Sequence, residues 1–232
     1  LDGLTSYGTH LFWPISQERV ALNLISVIDP VFTLILLAGV IIAFRKKTKT
    51  FARISLFLAG LYLCVGWVQL QRAENMTAFL AQTRGHVIET SIVKPTLANL
   101  ILWRSIYEMN GKFYVDAIRV GFFSEPKVYE GETIEKFIPG IHAPKLPEKS
   151  VLADDIERFT HFSAGYIGIQ PERPHLLIDV RYSNLPTSTD PLWAIVIDLH
   201  RPDQHAQYQL FRDASHEIRQ KFLAFLLGEH IN

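Results

Sequence analysis

The sequence predicts an α+β membrane protein, with a transmembrane helical hairpin followed by a soluble α+β domain built on an antiparallel sheet. Three observations carry this. Residues 30–44 (PVFTLILLAGVIIAF) and 54–70 (ISLFLAGLYLCVGWVQL) hold no charged side chain. A basic run, Arg45, Lys46, Lys47, Lys49 and Arg53, separates them. Beyond residue 71 the chain turns into short β-rich runs broken by turn residues, with ordinary soluble composition.

Charge bookkeeping sharpens the division. The 232 residues carry 23 Lys+Arg and 23 Asp+Glu, a net of zero. Residues 1–70 hold six bases and three acids, and residues 71–232 hold 17 bases and 20 acids. A basic, apolar part and a mildly acidic part therefore cancel. That balance argues against a nucleic-acid partner, which needs a basic surface. A single Cys excludes an internal disulfide framework and a multi-Cys zinc site. The charged share, 20%, and the hydrophobic share, 48%, exclude a disordered chain.

Asp29-Pro30 is a helix start: Asp caps free N–H groups and Pro suits the first helical position, which needs no N–H bond. A helix over about 29–47 and one over about 52–70 each span ~28 Å, close to the ~30 Å hydrocarbon core. Trp67 and Gln69 suit an interfacial end. A buried hairpin of a soluble protein is the alternative, but few soluble helices avoid charge on every face for so long. A secretory signal fits poorly, because a second apolar run follows the basic cluster. The positive-inside rule places loop 45–53 in the cytoplasm, with residues 1–28 and 71–232 outside it. The lipid bilayer is thus the expected partner, at the bacterial inner membrane. Cys64, mid-helix, reads as a small apolar packing residue.

The domain over 71–232 begins with a helix over 72–90, interrupted at Pro95. Strands follow at 100–108 and 112–123, joined by Asn110-Gly111, a hairpin turn signal. Residues 124–149 hold four prolines and read mostly as loop. A helix at 151–164, strands at 175–182, 192–200 and 206–212, and an amphipathic helix at 215–227 complete it. Trp103-Arg104 reads as a packed Trp with a paired Arg. Asp179 with Arg181 and Tyr182 reads as a salt bridge supporting the sheet. The pattern DLHRPDQH, with Asp198, His200, Asp203 and His205, reads as a strand end and a Pro turn, with metal binding as the alternative. The nine His are otherwise scattered, and no H-E-x-x-H, G-x-S-x-G or Gly-rich phosphate loop occurs.

Chemistry is sought in the opening stretch, where Asp2, Thr5, Tyr7, Thr9 and His10 crowd just before the apolar part. Asp and His are metal ligands, and both can move protons. Asp2 and His10 lie about two helical turns apart, but Gly3 and Gly8 argue against a regular helix. A polar loop with a capping Asp therefore stays open. Arg19 can hold an anionic group bidentately or reach toward lipid headgroups.

The string LDGLTSYGTHLFWPISQERVALNLISVIDP resembles the pattern H-x-x-LD-x-LT-x-YGT-x-L-x-x-P-[FI]S-x-x-R … IDP of the YdjM-like family. That family comprises inner-membrane, metal-dependent hydrolases, some under LexA control. Downstream, Pro95-Thr96, Trp103-Arg104 and Asp179-Val180-Arg181-Tyr182 follow the family's order more loosely. The resemblance implies hydrolysis of a lipid-like or phosphoester substrate at the outer face of the membrane. It implies a divalent metal, zinc being the expected ion, with Asp2 as a ligand and Asp2 and His10 as catalytic residues. Thr5, Tyr7, Thr9 and Arg19 would orient ligands or contact substrate. The family's His three residues before Leu1 falls outside this sequence, and its HRG-x-THS and PD-x-D motifs do not occur in it. The expectation is a partial copy of a longer membrane protein. A non-catalytic, membrane-anchored α+β domain that binds a partner or supports an assembly is the other reading.

Overall fold

In a computed structural model, residues 2–16, 18–213 and 215–229 are described. The chain divides into two compact units. The first comprises Leu1–Arg84, Ile92–Ser105 and Ile118–Val128; the second comprises Gly85–Ser91, Ile106–Ala117 and Tyr129–Asn232.

In the first unit, α1 (Pro30–Lys46) starts as its sequence demands. Asp29 sits in extended backbone and its Oδ1 accepts the N–H of Phe32 at 2.9 Å, while Pro30 occupies the first turn. The helix ends where Lys47 adopts the left-handed conformation, φ 49°, and its N–H returns to the last carbonyls. After Thr48 and Lys49 the chain enters α2 (Thr50–Thr83), 34 residues and so ~51 Å long. It is the one described helix both long and apolar enough to cross a membrane.

The buried face of α2 runs Ser55, Ala59, Gly66, Leu70, Ala73, Thr77 and Leu80, at the three- and four-residue steps of one helix stripe. Small side chains there permit close approach. A Cβ on Gly39 of α1 would fall 1.9 Å from Ser55 Oγ, so the helices meet at a glycine. The polar Gln69 is buried because it has work for both ends. Its Nε2 donates to Leu100 O at 3.1 Å and Val120 O at 2.7 Å, and its Oε1 accepts from Arg72 Nη1 at 2.6 Å. Arg72 also donates to Gly121 O at 2.8 Å. These bonds give buried carbonyls their donors, and Leu100 O also accepts from Trp103 Nε1 at 3.1 Å. Beside them Leu70, Ala73, Val93, Trp103, Ile118 and Val120 form an apolar cluster.

The sheet has nine strands: β1 (Thr90–Pro95), β2 (Leu102–Met109), β3 (Lys112–Arg119), β4 (Lys127–Tyr129), β5 (Thr133–Lys136), β6 (Ile167–Gln170), β7 (Arg173–Asp179), β8 (Trp193–Val196) and β9 (Gln207–Leu210). Their order is β1-β2-β3-β5-β6-β7-β8-β9, with β4 also pairing with β3. The described pairings from β3 to β9 are all antiparallel. Asn110 and Gly111 both have positive φ, 50° and 69°, the turn expected between β2 and β3.

The second unit also holds a short α3 (Pro139–His142), α4 (Val151–Phe162) and α5 (His216–Leu227). Helix α4 is capped by Ser150, whose Oγ accepts the Ala153 N–H. Its Leu152, Ile156 and Phe159 bury against Ile167, Ile169, Leu177, Trp193, Ile195 and Ile197 of the sheet. Ser215 caps α5, and Gly228 ends it in the left-handed conformation.

Two expectations need correction. The helix expected over 72–90 ends at Thr83, because Gly85 turns with φ 71° and the β-branched stretch after it pairs as β1. Residues 124–149 are mostly loop, as expected, with the short β4, β5 and α3 set into them. Strand β6 was not expected at all. β5 and β6 are short, and they are strands because of the neighbours they pair with, Lys112–Tyr114 for β5 and Ile178–Asp179 for β6. Such pairing overrides local propensity.

Candidate functional site

Residues 2–28 form a folded segment held by backbone ladders, not by a helix. Asp2–Leu4 make one 3₁₀ turn. The Thr5 N–H and Oγ1 both donate to Asp2 O, at 3.0 and 2.8 Å. Thr5 bridges to Ile25, and the Leu22 and Leu24 N–H groups reach Gly3 O and Leu4 O. Thr9 and Val20 exchange both backbone bonds, at 3.0 and 2.9 Å, and close the loop between them. Gly8 is needed here: its φ is 68° and a Cβ would lie 2.6 Å from Val20 O.

The segment is anchored on the helices of its own unit. A Cβ on Gly66 would meet Leu24 O at 2.5 Å, and Ile25 is buried with Phe32, Ala59 and Leu100. Asp29, 4% exposed, caps α1 and accepts from Tyr62 Oη at 3.1 and 2.9 Å through both carboxylate oxygens. Tyr62, 33 residues away in sequence, carries no motif that announces this role. Asp29 is thus a capping and helix-joining residue.

The sequence-derived site residues separate into two kinds. Thr5 is buried and bonded to the Asp2 carbonyl, and Thr9 pairs through its backbone with Val20. Asp2, Tyr7, His10 and Arg19 are exposed. Arg19 Nη1 donates to Tyr7 O at 3.3 Å, which draws the guanidinium over the closed loop. Asp2 contributes its backbone carbonyl to the Thr5 turn. Leu1, the first residue of the motif, lies outside the described residues.

A divalent metal requires three or more converging donors, usually His, Cys, Asp or Glu. Among the described residues no such group occurs. Asp2 and His10 by themselves do not fit a metal centre.

Residues 1–73 match the family described as YdjM inner membrane protein. This match covers the folded segment, α1 and the whole charge-free stretch 54–70 of α2. The match supports a membrane protein, and α2 is a candidate span by its length and composition. Comparison with curated proteins and with solved structures gives no significant match.

Outside the YdjM-like part, the expected salt bridge on the sheet is present. Asp179 is fully buried; Arg181 Nε and Nη2 donate to it at 2.9 and 2.8 Å, and Trp193 Nε1 at 3.4 Å. The Asp179 bonds raise the pKa of Arg181 even though burial works to lower it. His205 pairs not with Asp198 or Asp203 but with Asp155 of α4, 3.0 Å from Nδ1. Burial works to raise the Asp155 pKa, but the Ala206 N–H, Arg158 and His205 outweigh it and hold this carboxyl below its usual range. The DLHRPDQH cluster is therefore split: Asp198 binds the His200 N–H and Arg201, while His205 turns to α4.

Proposed function

We propose that the chain is a two-span inner-membrane protein. Helices α1 and α2 form a transmembrane hairpin with the 45–53 loop in the cytoplasm, and the 71–232 domain lies outside. Residues 2–28 sit at the outer membrane surface and act in hydrolysis of a lipid-like or phosphoester substrate. The observation that carries the reading is the distribution of exposed apolar surface. Leu34, Val40 and Phe44 on α1 and Leu56, Phe57 and Leu61 on α2 are all exposed. Each large apolar side chain left in water forgoes ~1.5–3 kcal/mol, and a bilayer covers them all. The helix lengths support it: α1 rises ~26 Å, and ~24 Å of α2 separate Thr50 from Gly66, where the N-terminal segment docks.

The loop closed by Thr9 and Val20 supports the placement of residues 1–28. Its tip presents Leu11, Phe12, Trp13 and Ile15, the last 95% exposed, and no charge between His10 and Glu18. An apolar tip with an aromatic pair suits the headgroup boundary. At that depth Arg19 would hold a phosphate or carboxylate, and His10 would accept or give the proton of an attacking water. Metal-dependent hydrolysis rests on the family resemblance; Asp2 and His10 by themselves do not make a centre for a metal. That same lack of a converging donor group among the described residues favours the second reading, a non-catalytic anchor for the α+β domain.

The test uses the full chain with Cys64→Ser and single cysteines introduced as Thr48→Cys or Lys145→Cys. An impermeant maleimide should label Thr48→Cys only in inverted vesicles and Lys145→Cys only in intact spheroplasts. Labelling of both from one side overturns the two-span reading. Hydrolysis of a chromogenic phosphodiester that is lost in His10→Ala supports the enzyme; no turnover with any added divalent ion leaves the anchor.

A further inference from the structure

We infer that the loop joining α1 and α2 is a docking surface for anionic phospholipid headgroups; the inference rests on the two-span reading. Arg45, Lys46, Lys47, Lys49 and Arg53 are all exposed. The left-handed turn at Lys47 folds the chain back within three residues. It therefore sets the last turn of α1, with Arg45 and Lys46, beside the first turn of α2, with Arg53. The Gly39–Ser55 approach holds the two helices together below the turn.

No Asp or Glu occurs between Asp29 and Glu74, so neither apolar helix supplies a countercharge to these five cations. All five fall within the nine residues 45–53, so as like charges with no acid nearby in the chain they repel one another. Their mutual repulsion is relieved by anions from outside. Directly below, Phe44 (84% exposed) and Phe57 (72% exposed) face outward, with Leu56 between the cations and Phe57 along α2. The surface thus has a cationic rim over an apolar wall. It matches an amphiphile with a net negative head and acyl chains. A zwitterionic lipid offers the same phosphate but brings its own cation, so it gains less. Arg can bind a phosphate with two parallel bonds, and Lys adds point charge.

The full chain is reconstituted into nanodiscs of phosphatidylcholine with a minor fraction of phosphatidylglycerol, re-extracted in mild detergent, and its retained lipid is measured by mass spectrometry. Phosphatidylglycerol should be enriched over its bulk share, and raised NaCl should lower the enrichment. Each basic residue near a charged membrane surface is worth about five-fold in binding. The triple variant Lys46→Gln, Lys47→Gln, Lys49→Gln should therefore bind about a hundred-fold more weakly and lose its enrichment, and the matching Lys→Arg triple should keep it. The variant Lys221→Gln on α5 should retain lipid as the parent does. Absence of enrichment, or enrichment unchanged in the Gln triple, overturns the inference and leaves the two-span reading standing. Failure to recover the chain in the bilayer at all overturns both.

Discussion

Asp179 offers the sharpest test of how the second unit holds together. Its carboxylate, without solvent exposure, accepts the Arg181 N–H, Nε and Nη2 and the Trp193 Nε1. The Arg181 side chain is itself only 11% exposed and spends its remaining reach on Phe162 O at 2.8 Å. Asp179→Ala thus leaves a guanidinium largely out of water with its charge uncompensated. Breaking a buried pair this way costs ~3–5 kcal/mol. For a chain of this size ~1 kcal/mol moves the melting temperature by ~2–4 °C, so a fall of ~6–20 °C is expected. The double variant Asp179→Ala, Arg181→Met should be markedly more stable than Asp179→Ala alone, because the lone charge, not the missing attraction, is the main penalty. Melting in detergent, followed by tryptophan fluorescence, reads this directly, since Trp193 contacts the carboxylate. A loss under ~1 kcal/mol for the single variant, or no recovery in the double variant, refutes the reasoning.

Two further outcomes follow from the geometry. Gly39→Val should force α1 and α2 apart and lower the melting temperature in detergent; adding Ser55→Gly, which removes the atoms 1.9 and 2.2 Å from the new Cβ, should restore most of it. Asp155 is held below the usual carboxylate range when folded, so its contribution is complete above its unfolded pKa and is lost as pH falls through the folded value. Melting temperatures between neutral pH and pH ~3 should therefore fall less steeply in Asp155→Asn than in the parent; parallel curves would refute this assignment.

What could be read beforehand was local. Asp29-Pro30 announces a helix start because the cap and its target, Phe32, lie three residues apart. Asn110-Gly111 announces its turn because both residues tolerate positive φ. Asp179 and Arg181 lie two residues apart, so their pairing is written in the pattern itself. The candidate site was legible only as a crowd of polar residues. In that crowd Thr5 and Thr9 carry backbone bridges, while Asp2, Tyr7, His10 and Arg19 are exposed. No rule of spacing separates the two kinds, because a threonine that closes a ladder and one that meets a ligand look alike in a string of letters.

The sequence by itself determined the charge-free stretches, the basic turn between them, the Asp29 helix cap and the Asn110-Gly111 turn. Each depends on side chains within about one helical turn or one hairpin. Tertiary structure alone decided that Tyr62 would meet Asp29, that Gln69 would bridge Leu100 and Val120, and that His205 would turn to Asp155. These partners lie 33, 31, 51 and 50 residues apart. A buried polar group takes whichever complementary atom the fold brings within ~3 Å. That choice exists only once the chain has closed on itself.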